Sequence, residues 1–219
     1  EDYLNAVTED TAIILKVHRS NFALRGFTKE PNIIEITSKL PENIITVVDQ
    51  GSGVIDEDLP GETKVESYLK SGADIVTFSA DKIIGGPQAG IIVGSKDLIT
   101  IIEKHPLART YRPGKTIYSL LESVLINRLT SIIPNERTQI TSILSGGSDV
   151  ALKKCQSIKR GLSSNYFSIS QDTICVGGGS TPDEYFDSYS INIRSEKMKS
   201  KLIIEELRKA EPPVIGIIK

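Results

Sequence analysis

The sequence predicts an α/β protein: a mostly parallel sheet in the first half, followed by a smaller α+β domain. Three observations carry this. Short β-branched runs at residues 11–18, 44–49 and 74–79 are continuous rather than alternating, the pattern of parallel strands covered on both faces. Helical patterns at residues 32–40 and 64–70 separate them, which makes right-handed βαβ units. Beyond Gly94 the order changes, with helices in succession and strands only afterwards.

Taken in order, TAIILKVH (11–18) is the first strand, and a polar turn leads from it to the helix over 32–40. IITVVD (44–49) is the second strand. A glycine-containing acidic loop over 51–61 precedes the helix at 64–70. DIVTFS (74–79) is the third strand. AGIIVG (89–94) comes too soon after it for a helical crossover, so it is expected to pair antiparallel. Helices are predicted at 96–104, 118–133 and 149–162. Strand-like runs come next at 166–170, 173–176 and 189–194. A charged helix at 197–210, Pro212-Pro213 and a last apolar run at 214–218 end the chain. The change of pattern puts a domain boundary near residues 105–115, dividing the chain into 1–110 and 111–219. The opening Glu1-Asp2-Tyr3 reads as the tail of a helix, and the chain is expected to be part of a longer protein.

Composition narrows the function. A chain of 219 residues with 39% apolar and 25% charged residues is an ordinary globular sequence, and its formal net charge of −2 advertises no nucleic-acid partner globally. Any basic surface must be local. Two cysteines without a CxxC pair or a nearby histidine argue against zinc, and they read as thiols of a reducing cytoplasm. No apolar run approaches the ~20 residues of a membrane span, so no membrane is an expected partner, and with this net charge DNA is not expected either.

The informative segment is Phe78 to Gly90, where Lys82 comes after a strand and precedes Gly85-Gly86-Pro87. A lysine at the carboxyl edge of a parallel sheet lies where α/β proteins bind ligands, and adjacent glycines allow close backbone approach. A lysine that captures an aldehyde needs such a partly shielded site. A surface lysine in a turn explains the same pattern. Asp49 ends the preceding strand and is placed to face the same crevice, and a pyridinium cofactor needs both groups: a carboxylate for its ring nitrogen and an amine for its aldehyde. His18, Ser20 and Asn21 close or follow the first strand and are candidates for that crevice, and Ser79 offers a hydroxyl to a phosphate. For Asp49 the plain alternative is a helix cap or loop carboxylate.

Six segments, KVHRSNFALRGFT (16–28), VVDQGSG (47–53), SADKIIGGPQAGIIVG (79–94), HPLARTYRPGK (105–115), VGGGSTPDE (176–184) and EPPVIGIIK (211–219), resemble in order those of the selenocysteine synthases. These are the bacterial L-seryl-tRNA(Sec) selenium transferases, fold-type I enzymes of pyridoxal 5'-phosphate (PLP). The resemblance covers nearly the whole chain and implies the C-terminal part of such an enzyme, with residues 1–110 belonging to a partial PLP-binding large domain. It implies that Lys82 holds the cofactor covalently, that Asp49 meets the pyridine nitrogen and that Asp81 belongs to the active site. It implies that Arg109 and Arg112 bind the selenium donor, selenophosphate. Two guanidinium forks suit a phosphate-like anion, although a solvated basic turn explains them equally. The implied reaction replaces the serine hydroxyl of seryl-tRNA(Sec) by selenium, in a cytoplasmic homo-oligomer built as a ring of dimers.

Two other readings share these residues. A PLP-dependent lyase acting on an amino-sugar phosphate uses the same lysine and aspartate without tRNA. A catalytically silent fragment serves only in subunit contacts. VGGGSTPDE is an anion nest or a plain inter-strand loop, Arg194 a carboxylate partner or a surface ion pair, and Lys153, Lys154, Lys159 and Arg160 an RNA-facing patch or a solvated helix face. His105, before Pro106, reads as a helix-end residue.

Overall fold

The computed structural model describes residues 1–19, 26–130, 146–162, 166–175 and 185–218. The first elements are α1 (Asp2–Asn5), β1 (Ile13–Val17), α2 (Ile33–Thr37), β2 (Ile45–Gly51), α3 (Val65–Lys70), β3 (Ile75–Ser79) and β4 (Gly90–Gly94). They form one four-stranded sheet in the order β1-β2-β3-β4. β1, β2 and β3 run parallel and β4 antiparallel, as the spacing predicts.

Helices α2 and α3 have only five and six residues, too short to persist by propensity, so packing must hold them. Asn32 caps α2 by accepting from Ile34 N–H at 3.3 Å. Ile33 of α2 joins Val65 and Tyr68 of α3 over Val48, Val76 and Phe78 of the sheet. Val48 and Val76 are completely buried, and each contributes about 1.5–3 kcal/mol by leaving water.

The opposite face departs from expectation. Ile13, Leu15 and Val17 point away from the helices and are 54%, 52% and 54% exposed. The apolar runs therefore belong to a sheet covered on one face by this chain's own helices and, among the described residues, open over β1 on the other, where Ile75, in the row of Leu15 and Val47, is buried.

Lys16 breaks the apolar pattern on the covered face. It is 5% exposed, its Nζ donates to Glu30 Oε1 at 2.8 Å, and it lies 5.1 Å from the centre of the Tyr68 ring. Burial pulls the ammonium down, but the bond to Glu30 and the attraction of Tyr68 and Glu30 outweigh it, leaving Lys16 above its ordinary value. Burial likewise raises Glu30, yet Lys16, then Arg19 and His18, hold its carboxyl below the usual range. A depressed carboxyl stabilises the fold above its unfolded value and loses that contribution as pH falls through the lower folded value. We therefore expect the acid limb of the parent's melting temperature to steepen below about pH 4.5, and Glu30→Gln to flatten it. Identical acid limbs for the two proteins would rule the linkage out.

Beyond the sheet come α4 (Lys96–Lys104), a 3-10 turn at Pro106–Arg109, α5 (Lys115–Thr130), α6 (Gly147–Arg160), β5 (Phe167–Cys175), β6 (Tyr185–Ile193) and α7 (Ser200–Lys209). The two runs expected at 166–170 and 173–176 are one strand, because Gln171-Asp172 contains neither glycine nor proline to break it. β5 and β6 form a two-stranded antiparallel sheet. The run at 214–218 forms no strand; Val214 N–H turns back to Leu207 O at 2.8 Å, closing the end of α7. Cys155 is buried, its thiol directed to Tyr189 O at 3.6 Å.

By compactness the chain divides into two units, Glu1–Ser145 with Cys175–Tyr185, and Gly146–Ile174 with Phe186–Lys219. This division falls after α5. The physical reason lies in α5 itself: Arg128 is 5% exposed and donates to both Asp56 and Glu57, tying the helix to the loop after β2.

Candidate functional site at the carboxyl edge of the sheet

The parallel strands end together at one edge, and the segment leaving each strand gives that edge its shape. After β3, Ala80 N–H donates to Ala89 O at 2.9 Å and Gly86 N–H to Ala80 O at 2.8 Å, folding residues 80–89 into a closed turn. Ile83 and Ile84 anchor it, 3% and 0% exposed. Their burial contributes about 2–3 kcal/mol each, enough to hold a turn that lacks regular structure. Lys82, just before them, is half-buried, and Asp81 is exposed.

Lys82 reaches back over the end of β2. Its Nζ lies 3.8 Å from where a Cβ on Gly51 would stand, and Gly51 adopts φ +75°, a conformation that favours glycine. Gly53 is more restricted still: at φ +77° its Cβ would stand 2.7 Å from Ser79 O. The glycines of VVDQGSG thus let β2 and the lysine turn approach. Gln50, 1% exposed, holds the loop by accepting from Gly53 N–H and donating to Val54 O and Thr63 O.

Asp49 stands in a row across the sheet with Val17 and Thr77, and its Oδ1 accepts from Thr77 Oγ1 at 3.0 Å. Among the described residues its other carboxylate oxygen has no partner, which leaves an acceptor for an N–H. Ser79 ends β3, half-buried and paired with Gly90. Asp49, Ser79 and Lys82 therefore share this edge.

His18 does not join them through its side chain. Its backbone N–H donates to Asp49 O at 2.8 Å, but its ring goes with Lys16 onto the helix-covered side, where Nε2 meets Glu62 Oε1 at 3.3 Å. Strand alternation separates them: the carboxylate of Asp49 projects with Val17, and His18 projects with Lys16. Asn21, Ser20 and the VGGGSTPDE loop lie outside the described residues.

Arg109 closes the 3-10 turn and Arg112 comes soon after it; both are exposed. Among the described residues no carboxylate pairs with either. They line a groove of about 840 Å³ with Tyr111, Tyr118, Ile92 and Gly90. Because Gly90 pairs with Ser79, the groove opens at the same end of β3 from which the lysine turn departs. His105 caps the turn, its Nδ1 accepting from Leu107 N–H at 3.2 Å.

Sequence reasoning missed Glu62, whose side chain is completely buried between His18 and Ser52. No periodicity marks it, since it sits in an irregular loop. Lys16 left a signal that went unread: a charge in the middle of an apolar run is either an error in the strand or a buried ion pair.

The residues present fit PLP. An amine over a side-chain-free platform and a carboxylate with a spare acceptor are the donor set that a pyridine aldehyde requires. Among the described residues no group of three or more His, Cys, Asp or Glu is arranged to hold a metal ion, and no helix is long and apolar enough to cross a membrane.

Comparison with known proteins agrees with this chemistry. A family described as SelA, L-seryl-tRNA selenium transferase, matches residues 1–219. The L-seryl-tRNA(Sec) selenium transferase of Desulfotalea psychrophila is 37% identical, over 98% of this chain and 48% of its own length. That of Clostridium botulinum strain 657 is 37% identical with the same coverage, and that of Actinobacillus pleuropneumoniae 36% identical, over 98% of this chain and 49% of its own. The chain thus spans about half the length of the curated relatives it matches.

Proposed function

The chain belongs to the SelA family of L-seryl-tRNA selenium transferases, and from that premise we propose that it carries the lysine-bearing half of a PLP-dependent active site. The reaction is conversion of seryl-tRNA(Sec) to selenocysteinyl-tRNA(Sec) with selenophosphate, in the cytoplasm. The single observation that supports this reading best is Lys82 Nζ over Gly51, two residues along β2 from a carboxylate whose second oxygen has no partner among the described residues.

Lys82 and Asp49 would hold the cofactor, Lys82 by its amine and Asp49 by accepting the ring N–H, and Ser79 would meet its phosphate. PLP supplies, when bound, an aldehyde that captures amines and a ring that takes up electrons from Cα. Lys82 would accept the Cα proton at Nζ and return a proton to the departing β-hydroxyl, which leaves as water. Thr77 engages one oxygen of Asp49, so the other would be left to accept from the ring N–H. Arg109 and Arg112 bind the selenium donor's phosphate oxygens, each fork offering paired N–H donors. Asp81, exposed beside Lys82, is available to the incoming substrate rather than to the fold.

The lyase reading shares Lys82 and Asp49, and the arginine groove serves any anion, so substrate selection tests the choice. Arg109→Ala/Arg112→Ala in the complete protein is expected to raise the KM for selenophosphate by about 100-fold, at about 1.4 kcal/mol for each tenfold step, with PLP content unchanged. An unaltered selenophosphate KM would remove the arginines from the site. Turnover of an amino-sugar phosphate in place of seryl-tRNA(Sec) would replace the proposed reaction.

A further inference from the structure

Glu62 lies in none of the roles above, yet it is the most deeply buried carboxylate near the site. Its side chain is 0% exposed. Two donors converge on it: Ser52 Oγ–H reaches Oε2 at 2.7 Å, and His18 Nε2 reaches Oε1 at 3.3 Å. A carboxylate accepts and does not donate, so both bonds run into it. His18 lies just past β1 and Ser52 just past β2. Glu62 itself lies just before α3, so one side chain ties together three segments at the carboxyl edge.

The connection continues to the lysine. Ser52 is completely buried, and its backbone oxygen accepts from Ile83 N–H at 3.1 Å. Ile83 is the residue after Lys82. Gly51, the platform under Lys82 Nζ, is the residue before Ser52. His18 N–H donates to Asp49 O, so the same carboxylate reaches the other cofactor-facing residue by a second route. Buried charges persist only where their bonds are satisfied, which makes this arrangement costly to disturb.

We propose that Glu62 is a positioning residue for Lys82: through Ser52 it sets the height of the lysine turn over Gly51, and through His18 it holds the backbone of Asp49. The proposal rests on the reading of Lys82 as the cofactor lysine, but its first test does not. Glu62→Gln keeps the volume and leaves one acceptor oxygen where two donors converge, so one donor loses its partner.

The experiment is amide hydrogen exchange on the complete protein freed of PLP, followed by PLP titration and borohydride fixation. In Glu62→Gln, Ile83 N–H is expected to exchange about tenfold faster while Val48 and Val76 stay within about twofold of the parent. PLP affinity is expected to fall about tenfold in the same variant. Ser52→Ala, which removes one donor and no charge, is expected to reproduce the selective effect on Ile83. Unchanged Ile83 exchange in both variants, or equal acceleration of Ile83, Val48 and Val76, overturns the proposal; the second outcome makes Glu62 a plain stability residue. Failure of the parent itself to fix PLP on Lys82 sinks the cofactor reading instead, and leaves the exchange result to decide the linkage between Glu62 and the lysine turn.

Discussion

Lys82→Ala is expected to abolish the specific fixation of PLP by borohydride and to lower conversion of seryl-tRNA(Sec) by about 10³-fold or more, because on the proposed reading one amine serves as both covalent anchor and base. Peptide mapping of the reduced parent protein checks this directly: the label belongs on the peptide containing residues 79–94. Lys16 is the informative decoy. It is the most buried lysine described, but the bond to Glu30 keeps it an ammonium, which cannot attack an aldehyde. Label on Lys16, or a Lys82→Ala protein that still turns over, would dismantle the assignment. Lys82→Arg separates charge from chemistry, since a guanidinium keeps the positive charge and forms no imine; it is expected to fail as completely as alanine.

The second large effect concerns stability. Arg128→Met should cost about 3 kcal/mol, the lower end of what breaking a buried ion pair costs when one charge is left without its partner. The lower end applies because the two carboxylates differ. Glu57, with its side chain 12% exposed, is stranded by the loss, whereas Asp56, at 38%, regains much of its hydration. Urea unfolding of the variant checks the magnitude. Adding Asp56→Asn and Glu57→Gln should recover most of the loss, since the penalty belongs to the uncompensated charges more than to the missing bonds. A loss under about 0.5 kcal/mol would mean that α5 is held to the loop by packing alone.

The elements of the first half were legible because their signals are local. β-branched runs, the helix between each pair and the short step from 79 to 90 require parallel strands closed by one antiparallel strand, and they form as expected. The meeting of Asp49 and Lys82 at one edge was legible for a related reason: parallel strands end on the same side, so residues at two strand ends are neighbours however far apart in the chain. The glycines of VVDQGSG announced a close approach without saying what approaches. Gly53 is packed against Ser79 O, and Gly51 lies under Lys82.

The features that stayed hidden depend on direction and distance. His18 ends the same strand edge as the candidate residues, yet a single step in register turns its ring to the other face, towards Glu62. Glu62 and Arg128 carry no periodic signal, because an irregular loop and a charge in the last turn of a helix read as solvated surface until the fold buries them. The break expected within β5 failed for the opposite reason: two polar residues weaken a strand pattern without preventing extension.

Local pattern alone was thus enough, in the first half, for the order of elements, the sense of each strand pairing and the edge where the candidate residues gather, since these come from periodicity and the handedness of crossovers. The assembled fold was needed to settle which face each side chain joins, how Lys16 and Glu62 are compensated and which sheet face this chain leaves open. Those depend on contacts between segments tens of residues apart, and the free energy of burying a charge is set by the partners that the whole fold brings to it.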